Sequence, residues 1–267
     1  MSEDRYLADH ADFEDEGARL ALIEKLYDPN SHRNLSKTGI GSGWKCLEVG
    51  AGGGSLTRWL SSQTKPSGLV VALDIDCRFL NDIDLPNVEV REGSILKDDI
   101  EDGCYDLVYA RLMLQHLPES EAAVAKMVQA TKPGGWLVIE DSDFSSMRGA
   151  ADGHPGNEAF DKWIEDRCDY LREWNIMDLH IGRKLPDLFA RLELKDIENE
   201  GTTWLRYGGD AAGKLWNMTF RHNESSFIEN KVYTREAWEE RLDILLDPTF
   251  RFTDFTMFVV WGRRPKR

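Results

Sequence analysis

The residues best placed to do chemistry are Glu48, Gly50, Gly52 and Gly54, spaced at every second position, and Asp74, which lies 26 residues beyond Glu48 and 20 beyond Gly54. Glycines so close together let the backbone take positive φ and let a ligand approach closely. The amphipathic stretch that follows, with Leu56, Trp59 and Leu60 at helical spacing, would aim the free N–H groups of a new helix into the same space. A carboxylate following the next apolar run can accept both hydroxyls of a ribose. The set therefore reads as a nucleotide-type binding loop with a ribose ligand. The dinucleotide fingerprint G-x-G-x-x-G fits imperfectly: laid on Gly50 and Gly52, its third glycine falls on Ser55.

These residues need a strand before the loop, a helix after it and a second strand ending at Asp74. The pattern supplies all three: a strand over Lys45 to Val49, a helix at about 55–63, and the valine-rich run Leu69 to Leu73, which reads as buried on both faces. Of the two nearby acids, Asp74 directly follows the strand and Asp76 suits a helix N-cap. A helix over Arg78 to Leu80, a third strand at Val88-Glu89-Val90, a fourth from Tyr105 to Ala110, a helix opened by Pro118, a hard turn at Lys132-Pro133-Gly134-Gly135 and a fifth strand from Trp136 to Glu140 continue the alternation. Strands alternating with helices imply a parallel sheet covered on both faces. Before it, residues 1–43 read as an N-terminal helical cap, with Tyr6 and Arg19 on it and Asp28-Pro29-Asn30 as its stop.

Composition sets the bounds. The 267 residues carry 33 Lys and Arg against 48 Asp and Glu, a net charge of −15, which repels nucleic-acid backbones and anionic lipid. No apolar run approaches the roughly 20 residues of a membrane span. The polar, acidic N-terminus does not read as a secretory signal, and the four scattered cysteines read as free thiols, so the expected location is cytoplasmic. The basic run Arg263-Arg264-Pro265-Lys266-Arg267 reads as a solvated end. His154, His180 and His222 have no ligand spacing with one another or with cysteine, so no metal site is expected.

Taken in order, Glu48-x-Gly50-x-Gly52-x-Gly54, Asp74, Gly93-Ser94, Tyr105-Asp106-Leu107-Val108 and Lys132-Pro133-Gly134-Gly135 resemble the class I S-adenosylmethionine-dependent methyltransferases, over about a hundred residues and most closely the small-molecule type. The resemblance implies an α/β, doubly wound, Rossmann-like sheet of seven mostly parallel strands with helices on both faces, an antiparallel last strand and a helical insert over the active-site edge. The divisions would be 44–143 as cofactor-binding core, 144–250 as substrate-side helices, sixth strand and insert, and 251–264 as closing strand, within a methyltransferase domain of 44–267. The cofactor would be S-adenosylmethionine. Gly50, Ala51, Gly52 and Gly54 would pass over its methionine part, with Glu48 holding the loop or the ammonium. Asp74 would hold the ribose, Ile75 would pack on the adenine, and Ser94 and Ile95 would meet its edge. The family often has Asp where Ser94 stands. Ala110 and Arg111 would lie beside the methionine, and Arg111 or Arg19 would pair with its carboxylate.

Methyl transfer from a sulfonium is an in-line displacement that needs alignment and exclusion of water, with a base only where the nucleophile must lose a proton. His116, just after the fourth strand, and Asp141, directly after the fifth, are the catalytic candidates for such a base, with Asp143 a third candidate nearby. The acceptor would be a small organic molecule attacked at O, N or C. Trp216, Met218, Phe220, Phe227, Tyr233 and Trp238 would form either the wall of an apolar substrate pocket or the core of a helical subdomain, with a homodimer contact also open. Three other readings stand beside this one, the first a nucleic-acid or protein methyltransferase, of which the charge of −15 disfavours nucleic acid and leaves protein open. A nicotinamide-dependent oxidoreductase is disfavoured by Ser55 and the Lys-Pro-Gly-Gly element; a non-catalytic S-adenosylmethionine-binding partner subunit is not distinguished by the loop.

Overall fold

The computed structural model describes residues 13–266, so Tyr6 lies outside the described residues. The described residues divide into two compact units, one of residues 27–143, 177–202 and 257–266 and another of residues 13–26, 144–176 and 203–256.

The first unit holds a seven-stranded sheet of β1 (Lys45–Val49), β2 (Leu69–Asp74), β3 (Val88–Glu92), β4 (Tyr105–Arg111), β5 (Thr131–Asp143), β6 (Lys195–Thr202) and β7 (Thr256–Arg263). Their order across the sheet is β3-β2-β1-β4-β5-β7-β6. The pairs among β1 to β5 are parallel, and β7 runs antiparallel to β6. The strand order reverses between β1 and β4, so the loops after these strands diverge and leave a crevice at their C-terminal ends, where open α/β sheets bind ligands. Helices Ser55–Thr64, Ser120–Ala130 and Ile181–Arg191 cover the sheet. Buried Leu47, Val49, Val71, Leu73, Val108 and Ile139 form the centre of its core.

Four local expectations are corrected. The helix Phe13–Ser36 runs through Pro29 instead of stopping there. Tyr27, Ser31, Asn34 and Leu35, one face at helical spacing, are buried, and burying Tyr27 and Leu35 contributes about 1.5–3 kcal/mol each, enough to offset the ~3 kcal/mol cost of a mid-helix proline. The expected helix at Arg78 is one 3₁₀ turn, Cys77–Phe79, N-capped by Asp76, whose side chain accepts from the Arg78 N–H. Lys132–Gly135 is a bulge within β5, where the register slips between Tyr105↔Thr131 and Leu107↔Trp136. The basic tail is tied down: Arg264 Nη1 donates to the carbonyls of Gln129 and Thr131, and the Arg263 guanidinium lies 3.9 Å over the Trp136 ring.

The second unit contains helices Asn157–Glu173, Ala211–His222, Glu224–Glu229 and Arg235–Ile244 with a small antiparallel sheet of Arg148–Gly149, Arg251–Thr253 and Leu205–Tyr207. Its interior is aromatic: Phe144, Phe160, Trp163, Phe220, Phe227, Trp238, Phe250, Phe252 and Phe255 are all buried. No helix among the described residues is long and apolar enough to cross a membrane.

Candidate functional site

Strand β1 ends where its glycines begin, and the chain turns through Gly50, Gly52 and Gly54 at φ of 77°, 54° and 81°. A side chain would be strained at each. It would also collide: a methyl on Gly50 would lie 2.8 Å from Cγ of Met113, and one on Gly54 2.7 Å from Cδ1 of Ile83. The loop is fastened to the end of β2. The Gly50 N–H donates to the Leu73 carbonyl at 2.8 Å, and the Gly52 N–H donates to Oδ2 of Asp74 at 2.8 Å. Oδ1 of Asp74 accepts from the Asp76 N–H at 3.0 Å. Burial raises the Asp74 pKa from its ordinary value, against the N–H groups of Asp76, Gly52 and Ile75, which favour the carboxylate. Beside it the Ile75 side chain is 45% exposed, an apolar surface at the mouth of the crevice.

Past β3, the Gly93 N–H donates to the Asp74 carbonyl, and Ser94 organises the next turn: its N–H donates to Asp98 Oδ2 at 2.7 Å and its Oγ accepts from the Leu96 N–H at 3.2 Å. Ile95 and Ala110 turn inward as core residues, at 4% and 1% exposure, because each ends a segment facing the covered side of the sheet.

Below the loop lies a polar layer that the sequence did not reveal. Register places Glu48 on β1 beside Tyr109 on β4, and Arg111 on β4 beside Glu140 on β5. Tyr109 and Arg111, two apart on one strand, share a face, and onto it the helix Phe13–Ser36 brings Asp28 and Ser31. Arg111 Nη1 donates to Asp28 Oδ1 at 2.8 Å and to Ser31 Oγ at 3.1 Å, and Ser31 Oγ donates to Glu140 Oε2 at 2.6 Å. Glu48 accepts from Thr57 Oγ1 in the helix that follows the loop. Glu48 thus holds the loop's helix to the sheet. Burial pushes its pKa up to about 8, and that of Glu140 up to about 7. Asp28 and Ser31 were hidden in the sequence by the expected stop at Pro29; their spacing with Asn34 on the buried face was the available signal.

After β4 the chain makes a turn in which Leu112 takes φ of 51°, an uncommon and costly conformation for a branched residue. The Leu112 N–H donates to the Glu140 carbonyl at 2.8 Å. Asp141 completes the turn: its Oδ2 accepts from the N–H groups of Leu114 (2.9 Å) and Gln115 (3.3 Å), and its Oδ1 from that of Ser142 (2.8 Å). It is fully buried; burial pushes its pKa up to about 7 against those three N–H donors. His116 lies half-buried in the same turn, Leu114–His116. Asp143 is gripped by Arg183 through Nε (2.5 Å) and Nη2 (2.6 Å), with His180 Nδ1 at 3.1 Å. Asp141→Asn should destabilise the protein by about 1–3 kcal/mol, since an amide NH₂ would face at least one of these N–H donors. Urea unfolding will measure it; unchanged stability would mean that the turn does not depend on the carboxylate.

Glu48, Gly50, Ala51, Gly52, Gly54, Asp74, Ile75, Ser94, Ile95, Ala110, Arg111, His116 and Asp141 thus gather at the C-terminal ends of β1 to β5 in one unit. Arg19 belongs to the other unit. There it is buried and donates through Nε and Nη2 to Glu16 of its own helix at 2.8 and 2.6 Å. His222 Nδ1 lies 3.6 Å from the same carboxylate. The residues at the sheet edge fit a nucleoside. The glycine loop turns through positive φ at the strand end, an acidic acceptor sits beside it, and an exposed aliphatic side chain follows that acid. Among the described residues no group of three His, Cys, Asp or Glu side chains could hold a metal ion.

Residues 47–139 match the family model described as a methyltransferase domain. The chain is 30% identical over 189 residues to Methyltransferase str2 of Strobilurus tenacellus, an overlap of 68% of this chain and 65% of that protein. It is 28% identical over 140 residues to a ubiquinone/menaquinone biosynthesis C-methyltransferase of Pseudomonas savastanoi, covering 48% and 55% of the two chains. Among solved structures it resembles Haemonchus contortus phosphoethanolamine N-methyltransferase 2, with TM-score 0.60 at 15% identity over 99% of this chain and 61% of that one, which shows a common fold. The chain spans less than two thirds of the length of each of these proteins.

Proposed function

We propose that this chain, whose core belongs to the class I S-adenosylmethionine-dependent methyltransferases, transfers a methyl group from that cofactor to an O, N or C nucleophile of a small organic molecule. The observation that carries the reading is the glycine loop of Gly50 to Gly54 fastened to Asp74 at the point where the strand order reverses. When bound, S-adenosylmethionine supplies an electrophilic methyl group on a sulfonium.

The chain's own residues bind and align. Asp74 accepts the ribose hydroxyls while its other contacts hold the loop closed beneath them. Ile75 lies against the base, and the Ser94 turn meets its polar edge. Gly50, Ala51, Gly52 and Gly54 admit the amino-acid part to the main chain. Glu48 acts on the loop through Thr57, and Arg111 through the turn it anchors to Asp28 and Ser31. Asp141 is a positioning residue in this reading. Its carboxylate is engaged by three N–H groups, and it sets the turn that carries Met113 and His116. His116 remains the candidate base for an acceptor that must lose a proton. Alignment supplies most of the acceleration, as an in-line displacement allows.

Calorimetric titration of the full chain with S-adenosylmethionine, S-adenosylhomocysteine and NAD tests the reading. Micromolar binding of the first two and none of NAD is the expected result, followed by transfer of labelled methyl in an acceptor screen. Binding of NAD alone would overturn it, and cofactor binding without transfer to any acceptor would favour a non-catalytic subunit.

A further inference from the structure

Strand β5 outruns its neighbours. Its Glu140 lies level with Arg111, the last residue of β4, whose Ala110 lies level with Val49, the last residue of β1. β5 continues to Asp143, a rise of about 10 Å past that level at the spacing of an extended strand. The ends of β1 and β5 are separated by two strand spacings, again about 10 Å. Asp143 therefore stands above the strand ends, within reach of a small acceptor lying over the glycine loop and in the same unit as that loop.

An imidazole is held there. His180 Nδ1 lies 3.1 Å from Oδ1 of Asp143. An ionised carboxylate only accepts, so Nδ1 is the donor and the neutral ring keeps its basic lone pair on Nε2. The carboxylate is itself fixed by the guanidinium fork of Arg183, through Nε and Nη2. The main chain of His180 is placed as firmly. Its N–H donates to Asp178 Oδ1 at 3.1 Å, Lys184 Nζ donates to Asp178 Oδ2 at 2.6 Å, and the Asp178 N–H donates to the carbonyl of Gln115, in the turn after β4, at 2.9 Å. Helix Ile181–Arg191 starts so close to β5 that a methyl on Gly182 would lie 2.5 Å from the Asp141 carbonyl oxygen. His180 is the N-cap of that helix, yet its ring turns to Asp143 and not to the helix's own N–H groups. The His180 side chain keeps 23% of its surface exposed, against 9% for Asp143. A histidine oriented by a buried carboxylate and itself accessible is arranged as a general base.

We propose that His180 is the general base of the methyl transfer and that the acceptor is a weakly acidic hydroxyl of the phenol type, with Asp143 and Arg183 as positioning residues. The proposal rests on the methyl-transfer reading. The acceptor O–H gives its proton to Nε2 while an oxygen lone pair bonds the methyl carbon. The carbon–sulfur bond breaks with its electron pair left on sulfur, giving S-adenosylhomocysteine and a methyl ether, and the imidazolium returns the proton to water. The imidazolium forms beside the Arg183 cation, so this corner favours a phenolate over a protonated amine.

The full chain with S-adenosylmethionine is assayed at pH 8 on three probes: 4-methylphenol, un-ionised there as tyrosine is; 4-nitrophenol, already ionised there; and benzylamine. The wild type should methylate both phenols in preference to benzylamine. His180→Gln and Asp143→Asn should lower kcat on 4-methylphenol by about a hundredfold and on 4-nitrophenol by less than about tenfold, with wild-type affinity for S-adenosylmethionine by calorimetry. Free imidazole should restore turnover of 4-methylphenol to His180→Ala. Equal losses on the two phenols would overturn the role as base, as would a loss on 4-methylphenol confined to His116→Gln. A wild type that binds S-adenosylmethionine but methylates neither phenol, or benzylamine alone, would overturn the hydroxyl acceptor. Absence of S-adenosylmethionine binding would overturn the methyl-transfer reading itself, and the proposal with it.

Discussion

Asp74→Ala should weaken S-adenosylmethionine binding by about 1–3 kcal/mol, roughly fivefold to somewhat over a hundredfold in Kd. The size follows from two tasks in one side chain. Asp74 would accept the ribose hydroxyls as a charged group, and its Oδ2 already accepts the Gly52 N–H that shapes the glycine loop. Alanine removes the ligand contact and also leaves that N–H without its acceptor, so the loop must be ordered by the cofactor when it binds. Asp74→Asn keeps the size and one acceptor oxygen and should fall between wild type and alanine. Calorimetry gives the affinity, and thermal unfolding without cofactor separates the loop's share from the ligand's. Unchanged affinity in Asp74→Ala would remove Asp74 from the site.

How much of this was legible differs by region, for physical reasons. The edge of the sheet was readable because its constraints are local. Positive φ demands glycine at Gly50, Gly52 and Gly54, a doubly covered strand demands the apolar run before Asp74, and a parallel sheet demands the alternation that follows. The helix at Pro29 was not readable, since the local signal is a stop and the opposing term is tertiary burial of Tyr27, Ser31, Asn34 and Leu35. With it were lost Asp28 and Ser31, the partners of Arg111 and Glu140. Asp141 was found at the right edge, but its three N–H donors come from a turn that no spacing announces. The left-handed Leu112 breaks the usual residue preference and so left no sequence trace at all. In the second unit the aromatic residues were visible as a group, while which rings meet, as Trp163 meets Phe220 and Trp238, depends on contacts between helices far apart in the sequence.

The polar layer beneath the loop leads to a second large expected effect, a stability that falls as pH rises through neutrality. Glu48 and Glu140 have ordinary values of 4.5, and burial pushes them up to about 8 and about 7, against the hydroxyls of Thr57 and Ser31 and the charge of Arg111. Asp141 rises from 3.8 to about 7 for the same reason. Between these limits the folded chain binds more protons than the unfolded one, so stability decreases with pH. The contribution is complete below about pH 4, where both states are protonated, declines from there, and is fully lost once pH has risen through the folded values of about 7 and 8. Each extra bound proton gives a slope of about 1.4 kcal/mol per pH unit, so Tm should drop by several degrees from pH 6 to pH 9. The acid limb has the opposite sign: Glu101 and Glu200 are held down at about 2 by Arg91 and Arg33, and their smaller, solvent-screened contributions are lost as pH falls from 4.5 toward 2. Glu140→Gln should remove its share of the decline between about pH 4.5 and 7 and Glu48→Gln its share between about pH 4.5 and 8, each keeping the oxygen that accepts from Ser31 or Thr57. Melting curves of wild type and the double variant at half-unit intervals from pH 5 to 9 test this. A flat wild-type profile, or an unaltered slope in the double variant, would show that these carboxyl groups stay ionised in the folded chain and that the layer is held as an ion network centred on Arg111.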